Sequence, residues 1–130
     1  LVGRSGQIEQ SVIRPMKQLG VEKWVVLGGY RTHDYLDTLA CMDIFVFLTP
    51  GSDGTARALR EAMAMGKPVI VANRGMLPEL VEDGISGLVV NDTPEELALA
   101  TLRLLHHPEM REALGKAAYQ KAHQDFQLDR

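Results

Sequence analysis

At 130 residues, the chain fits one domain, long enough to bury a single core between helices and a sheet. Hydrophobic residues make up 45% of it and charged residues 24%, the balance of a folded globular domain, which excludes a disordered chain. With 17 acidic side chains against 14 basic ones, the net charge of −3 argues against a general attraction to nucleic acid or an anionic membrane, so any anion site has to be local.

No apolar run approaches the roughly 20 residues needed to span a bilayer, so a cytoplasmic location is expected, with membrane association only through parts outside this chain. The single cysteine, Cys41, has no intrachain disulfide partner, and its apolar helical setting predicts a small buried thiol. The opening Leu1-Val2-Gly3 reads as the end of a strand running into a loop. The expectation is therefore a fragment of a longer protein.

In chain order, a helical pattern over 7–20 carries Pro15, which should kink or interrupt it, and closes at Gly20, a residue suited to a helix C-cap. The run WVVLG at 24–28 predicts a strand, followed by the loop Gly28-Gly29-Tyr30-Arg31. Thr32 is placed to cap a helix over 34–42. A second strand, IFVFL at 44–48, leads into the glycine-rich loop Thr49-Pro50-Gly51-Ser52-Asp53-Gly54-Thr55, and then into a helix that ends near Met65 with Gly66 as its C-cap. Strands PVIVA at 68–72 and GLVV at 87–90 follow, separated by the short helical segment LPELVEDG. Thr93 and Pro94 read as N-cap and first residue of a helix, and Pro108 divides the tail to Phe126 into two helices.

The strands are apolar throughout instead of alternating, as in a parallel sheet covered on both faces. The expected fold class is α/β: a Rossmann-like, doubly wound parallel sheet, truncated at its N-terminal strand–helix unit and finished by C-terminal helices, occupying residues 1–130 as one domain.

In such sheets ligands bind beyond the carboxyl ends of the strands, where N–H groups at helix starts hold anions. The loop after IFVFL is the richest such place, with N–H groups near Gly54, Thr55 and Ala56 open to a bound oxygen or phosphate. It has no GxxxxGK[ST] pattern, so it is not a P-loop. On the helix that follows, Ala58, Leu59, Ala62 and Met63 form the stripe that packs on the sheet, while Arg57 and Glu61 share a flank one turn apart.

Two readings stay open from the residues alone. In one, Arg57 and Glu61 are an exposed pair worth ~0.2–0.5 kcal/mol and Asp53 is an ordinary helix N-terminal acid. In the other, Asp53 and Glu61 accept ligand hydroxyls, since one carboxylate grips two hydroxyls of a ribose or hexose. His33, His106, His107 and His123 show no metal-ligand spacing, so no metal and no cofactor are expected. No nucleophile elbow occurs either.

The segment SDGTARALREAMAMGKPVIVANRGMLPELVEDGISGLVV resembles the C-terminal, donor-binding domain of the group 1 retaining glycosyltransferases of GT-B fold. The resemblance rests on Asp53, seven residues and Glu61, then Ala62-Met63-Ala64, Gly66, Pro68-Val69, Pro78-Glu79, Val81, Gly84 and Gly87. It extends to residues 1 to about 105. It implies that Glu61 binds the ribose hydroxyls of a nucleotide sugar, and that Asp53, with the N–H groups of Gly54, Thr55, Ala56 and Arg57, addresses the transferred sugar and the diphosphate. Gly28, Gly29, Tyr30 and Arg31 would lie beside the base. A plain surface turn is the other reading of that loop.

This sequence departs from the family's pattern where Asp53 stands for the usual Glu, where Arg57 brings a cation able to meet the diphosphate or pair with Glu61, and where Met76 replaces a glycine. Glu79 is expected to support the loop or the helix start and not to react. By resemblance, a hexose passes from a nucleoside-diphosphate sugar with retention, the leaving phosphate helping to deprotonate the acceptor while helix N–H groups stabilise its charge. The acceptor side would belong to a separate N-terminal domain, and this chain alone would hold a donor without transferring it. The alternatives are a noncatalytic α/β binding or regulatory module, or a related sugar-nucleotide epimerase.

Overall fold

The computed structural model describes residues 12–26, 35–48 and 57–125. The chain divides into two compact units, residues 1–38 and 39–130.

In the first unit, a π-helical turn at Val12 and Ile13 precedes α1 (Arg14–Gln18). Pro15 lies in the first turn of α1, where its missing N–H costs no α-helical bond, and the π-helical turn gives way to the α-helix just before it, at Arg14. Gly20 ends the helix at φ 70°. Its N–H reaches Lys17 O and that of Val21 reaches Met16 O, each at 3.1 Å, the paired bonds of a Schellman cap.

The strand expected at 24–28 differs. Trp24 closes a 3-10 turn (Glu22–Trp24), and only at Val25 is the backbone extended, with φ −118° and ψ 128°. The Trp24 N–H bonds Val21 O at 2.9 Å and the Val25 N–H bonds Glu22 O at 3.3 Å, so the turn begun at the helix end overrides the strand propensity of Trp and Val. Residues 27 and 28, the rest of that strand, lie outside the described residues, as does Thr32.

Helix α2 (Tyr35–Ala40) is followed at once by Cys41, which is exposed, correcting the expected buried thiol. The helix stops one residue before the cysteine, which therefore falls in the turn and off the buried face that Leu39 occupies at 2% exposure. The Lys67 ammonium donates to the Ala40 carbonyl at 2.8 Å, satisfying one of the acceptors that a helix end leaves open.

Three strands, β1 (Phe45–Phe47), β2 (Val69–Ala72) and β3 (Leu88–Val90), form a parallel sheet in the order β1-β2-β3. Phe45 pairs with Val69 and Ile70 with Leu88, so the apolar runs at 44–48, 68–72 and 87–90 are the strands they were expected to be. Between them run α3 (Arg57–Ala64) and the single turn α4 (Leu77–Leu80), and after them α5 (Pro94–His106) and α6 (Pro108–Asp125). This is the Rossmann-like α/β arrangement, with each parallel crossover carrying a helix.

One core groups Ile70, Leu88 and Val90 with Ala100, Leu104 and Leu114, so α5 and α6 cover one face of the sheet. The alternate positions Val69 and Val71 are equally buried on the other face. There β3 approaches its neighbours so closely that a Cβ on Gly87 would stand 2.7 Å from side-chain carbons of both Val69 and Val81. On α3, Leu59, Ala62 and Met63 of the stripe read from the sequence are fully buried and Ala58 is half-buried, and the helix touches β1, β2 and α6. Gly66, at φ 75°, ends α3 with a second Schellman cap, its own N–H to Met63 O at 2.9 Å and the Lys67 N–H to Ala62 O at 3.1 Å.

Thr93 caps α5, its hydroxyl accepting the Glu96 N–H at 3.2 Å, with Pro94 in the first turn as its position implied. At the other end, Arg111 from α6 donates to the Leu104 and Leu105 carbonyls at 2.7 and 3.0 Å, which closes α5 where Pro108 separates the two helices.

Candidate functional site

Because the three strands are parallel, the segments that follow Phe47, Ala72 and Val90 all emerge at one end of the sheet. Ligand chemistry in open α/β sheets gathers there. The first segment delivers α3, whose N-terminal residue is Arg57. Glu61 stands one turn further along, where its side chain is 18% exposed while that of Arg57 is 82% exposed. The Arg57 Nε donates to Glu61 Oε1 at 2.8 Å. Of the two partners left open for Arg57, the structure shows the carboxylate. A single N–H occupies one of about four lone-pair directions of a carboxylate, so the contact leaves Glu61 acceptor capacity for hydroxyl groups.

Arg57 and Glu61 are thus brought together on α3. The other expected site residues, Gly28, Gly29, Tyr30, Arg31, Asp53, Gly54, Thr55 and Ala56, lie outside the described residues, as does His33.

The second and third segments are tied to each other. The Asn73 N–H bonds Val90 O at 2.7 Å, and Arg74 pairs with Asp92 at 3.3 Å. Beside them lies a polar cleft of about 370 Å³, whose walls include Asn73, Glu82, Asp83, Asn91 and Glu96. Two of its acids shape the backbone, Glu96 accepting the Asn91 N–H at 3.1 Å and Asp83 the Val89 N–H at 2.9 Å, while Glu82 pairs with Lys121 at 3.6 Å. Asn91, Asp92 and Glu96 were not singled out from the sequence. Their only signal there is a position just past the strand GLVV, at the end where its neighbours' loops also open.

Glu79 lies exposed in the first turn of α4, which suits support of a helix start. His107 Nδ1 contacts Arg103 O at 2.7 Å, and the His123 ring lies tilted at 42° against Tyr119 with ring centroids 4.2 Å apart. No group of three potential metal ligands stands together among the described residues. Nor is any helix there long and apolar enough to cross a membrane.

Residues 1–121 match the family model described as glycosyl transferases group 1, and the chain belongs to that family. It is 38% identical over 86 residues to spore coat protein SA of Bacillus subtilis, which covers 65% of this chain and 23% of that protein. It is 30% identical over 101 residues to the alpha-D-kanosaminyltransferase of Streptomyces kanamyceticus, covering 76% of this chain and 26% of the relative. The Anabaena protein HepE in complex with UDP-glucose superposes with a TM-score of 0.86 at 27% identity, over 97% of this chain and 36% of HepE. The architecture is that of a GT-B domain, and the chain spans about a quarter of the length of these two curated relatives.

Proposed function

We propose that this chain is the donor-binding part of a glycosyltransferase that moves a hexose from a nucleoside-diphosphate sugar to an acceptor with retention of configuration. The observation that carries the reading is Glu61. Its carboxylate is held by Arg57 at 2.8 Å, only 18% exposed, on the helix that starts at the ligand-binding end of the sheet. HepE, which shares this fold at a TM-score of 0.86, was solved holding UDP-glucose.

In this reading Glu61 accepts both ribose hydroxyls, and Asp53 accepts from the transferred sugar. The N–H groups of Gly54, Thr55, Ala56 and Arg57 face the diphosphate, whose charge grows as the glycosidic bond breaks. Gly28 to Arg31 border the base. Asp53 is one methylene shorter than glutamate, which sets this protein's choice of sugar apart from the family's usual one. No metal and no cofactor take part. The acceptor and the rest of the cleft come from a separate N-terminal domain of the same cytoplasmic protein, and residues 1–130 alone bind donor without turnover.

The test is titration of UDP-, GDP- and ADP-sugars into the full-length protein by ligand-observed NMR, beside its Glu61→Ala variant. Saturable binding of one base, weakened roughly 5- to 150-fold in the variant, is expected, since loss of acceptors from buried hydroxyls costs ~1–3 kcal/mol. Binding to none, or binding untouched by the substitution, overturns the assignment.

A further inference from the structure

Among the described residues β3 is the last strand of the sheet, paired with β2 on one side. In a parallel ladder, alternate residues turn both backbone groups toward the neighbouring strand, and the residues between them turn both away. The Val90 carbonyl takes the Asn73 N–H on the β2 side, so Gly87, Val89 and Asn91 face outward from the edge. A strand edge of this kind is a template for pairing with another chain.

The outward N–H groups of Val89 and Asn91 are already taken, each by a carboxylate. The Val89 N–H donates to Asp83 Oδ1 at 2.9 Å and the Asn91 N–H to Glu96 Oε1 at 3.1 Å. At the start of the strand, the Gly87 carbonyl accepts the Gly84 N–H at 2.8 Å. The acids reach the edge from opposite sides in the chain, Asp83 from the turn before β3 and Glu96 from α5 after it. Both are anchored. Asp83 follows Glu82, whose N–H donates to the hydroxyl of buried Ser86 at 2.9 Å, and Glu96 donates its own N–H to Thr93 at 3.2 Å.

Both edge bonds lie at the surface, where water would satisfy the same N–H groups, so the fold does not depend on either. What an anchored side chain does and water does not is withhold the donor from a second strand. We propose that Asp83 and Glu96 guard the edge of β3, keeping it from pairing with β3 of a second copy of this chain. This goes beyond donor binding and does not depend on it.

The experiment follows association of the full-length protein by sedimentation velocity over a concentration series. Asp83→Ala with Glu96→Ala is expected to associate at about a tenfold lower concentration than the parent, as the freed edge donors find partners. Asp83→Ala alone, which leaves the start of α5 intact, should give part of that gain. Adding Val89→Pro to it removes the freed N–H and should cancel the gain, since proline is tolerated on a strand edge. Asp83→Asn with Glu96→Gln keeps an acceptor oxygen at each place and should behave as the parent. Glu109→Ala with Glu112→Ala makes the same change in net charge at exposed positions on α6 and should also behave as the parent. Association unchanged in both Asp83→Ala variants overturns the proposal. So does a gain that survives Val89→Pro, that the asparagine and glutamine pair reproduces, or that appears in the Glu109 and Glu112 variant.

Discussion

The Arg57 guanidinium and the Glu61 carboxylate meet at 2.8 Å one helical turn apart, the arginine almost entirely in solvent and the glutamate mostly out of it. On the proposed reading, the exposed partner contributes orientation and the sheltered one the acceptor. For folding the pair matters little, ~0.2–0.5 kcal/mol for an exposed i,i+4 contact. Arg57→Ala is therefore expected to leave the melting temperature within about a degree while weakening nucleotide-sugar binding a few fold, on the order of 1 kcal/mol. Glu61→Ala should weaken it much more. Calorimetric titration of both variants beside thermal melts checks this, and equal losses of affinity would show that Arg57 meets the donor directly.

Gly66 and Gly115 hold α3 and α6 together by backbone contact. A Cβ built on Gly115 collides with the Gly66 carbonyl oxygen, and Gly66 itself sits at φ 75°. Backbone yields less readily than a side-chain tip, so Gly115→Ala is expected to destabilise by ~1–3 kcal/mol through overpacking, although alanine is the better helix former by about 1 kcal/mol. Urea unfolding would show a lower midpoint. A gain in stability would mean that the two helices separate at no cost.

How much of this was legible in the sequence depends on how far each signal reaches. Gly20, Gly66 and the Thr93-Pro94 pair were readable because a cap is decided within a few residues, and the structure shows the bonds they imply. The three strands were readable because burial on both faces leaves an unbroken apolar run. Trp24 and Cys41 were misread: the first obeys a turn that follows Gly20, the second a helix that stops two residues short of Met42. Gly115 gave no signal at all, since its constraint comes from Gly66, 49 positions away and visible only once α3 and α6 are packed. In the site, the Arg57–Glu61 contact followed from helical spacing. The tie between Asn73 and Val90 depends on β2 and β3 lying side by side, which no local pattern encodes.

Thr93 gives a test of capping alone. Its hydroxyl accepts the Glu96 N–H, and the Glu96 carboxylate in turn accepts the Asn91 N–H, so one short network starts α5 and fixes the segment after β3. Thr93→Ala removes the first bond and is expected to cost ~1 kcal/mol, seen as a melting temperature lower by several degrees. Thr93→Ser should recover most of it, because only the hydroxyl is needed. If serine fails to rescue, the threonine methyl is what matters there.

Leu99 and Leu104 look alike in sequence and differ entirely in place. Leu104 is fully buried against Ile70, Leu88 and Leu114, so Leu104→Ala leaves a cavity and should cost ~2–5 kcal/mol, depending on how far the site collapses. Leu99 is 68% exposed, and Leu99→Ala should change the stability of the monomer by no more than about 0.5 kcal/mol. Chemical denaturation of both variants checks the contrast. A large Leu99 effect would instead place that side chain against another part of its own chain.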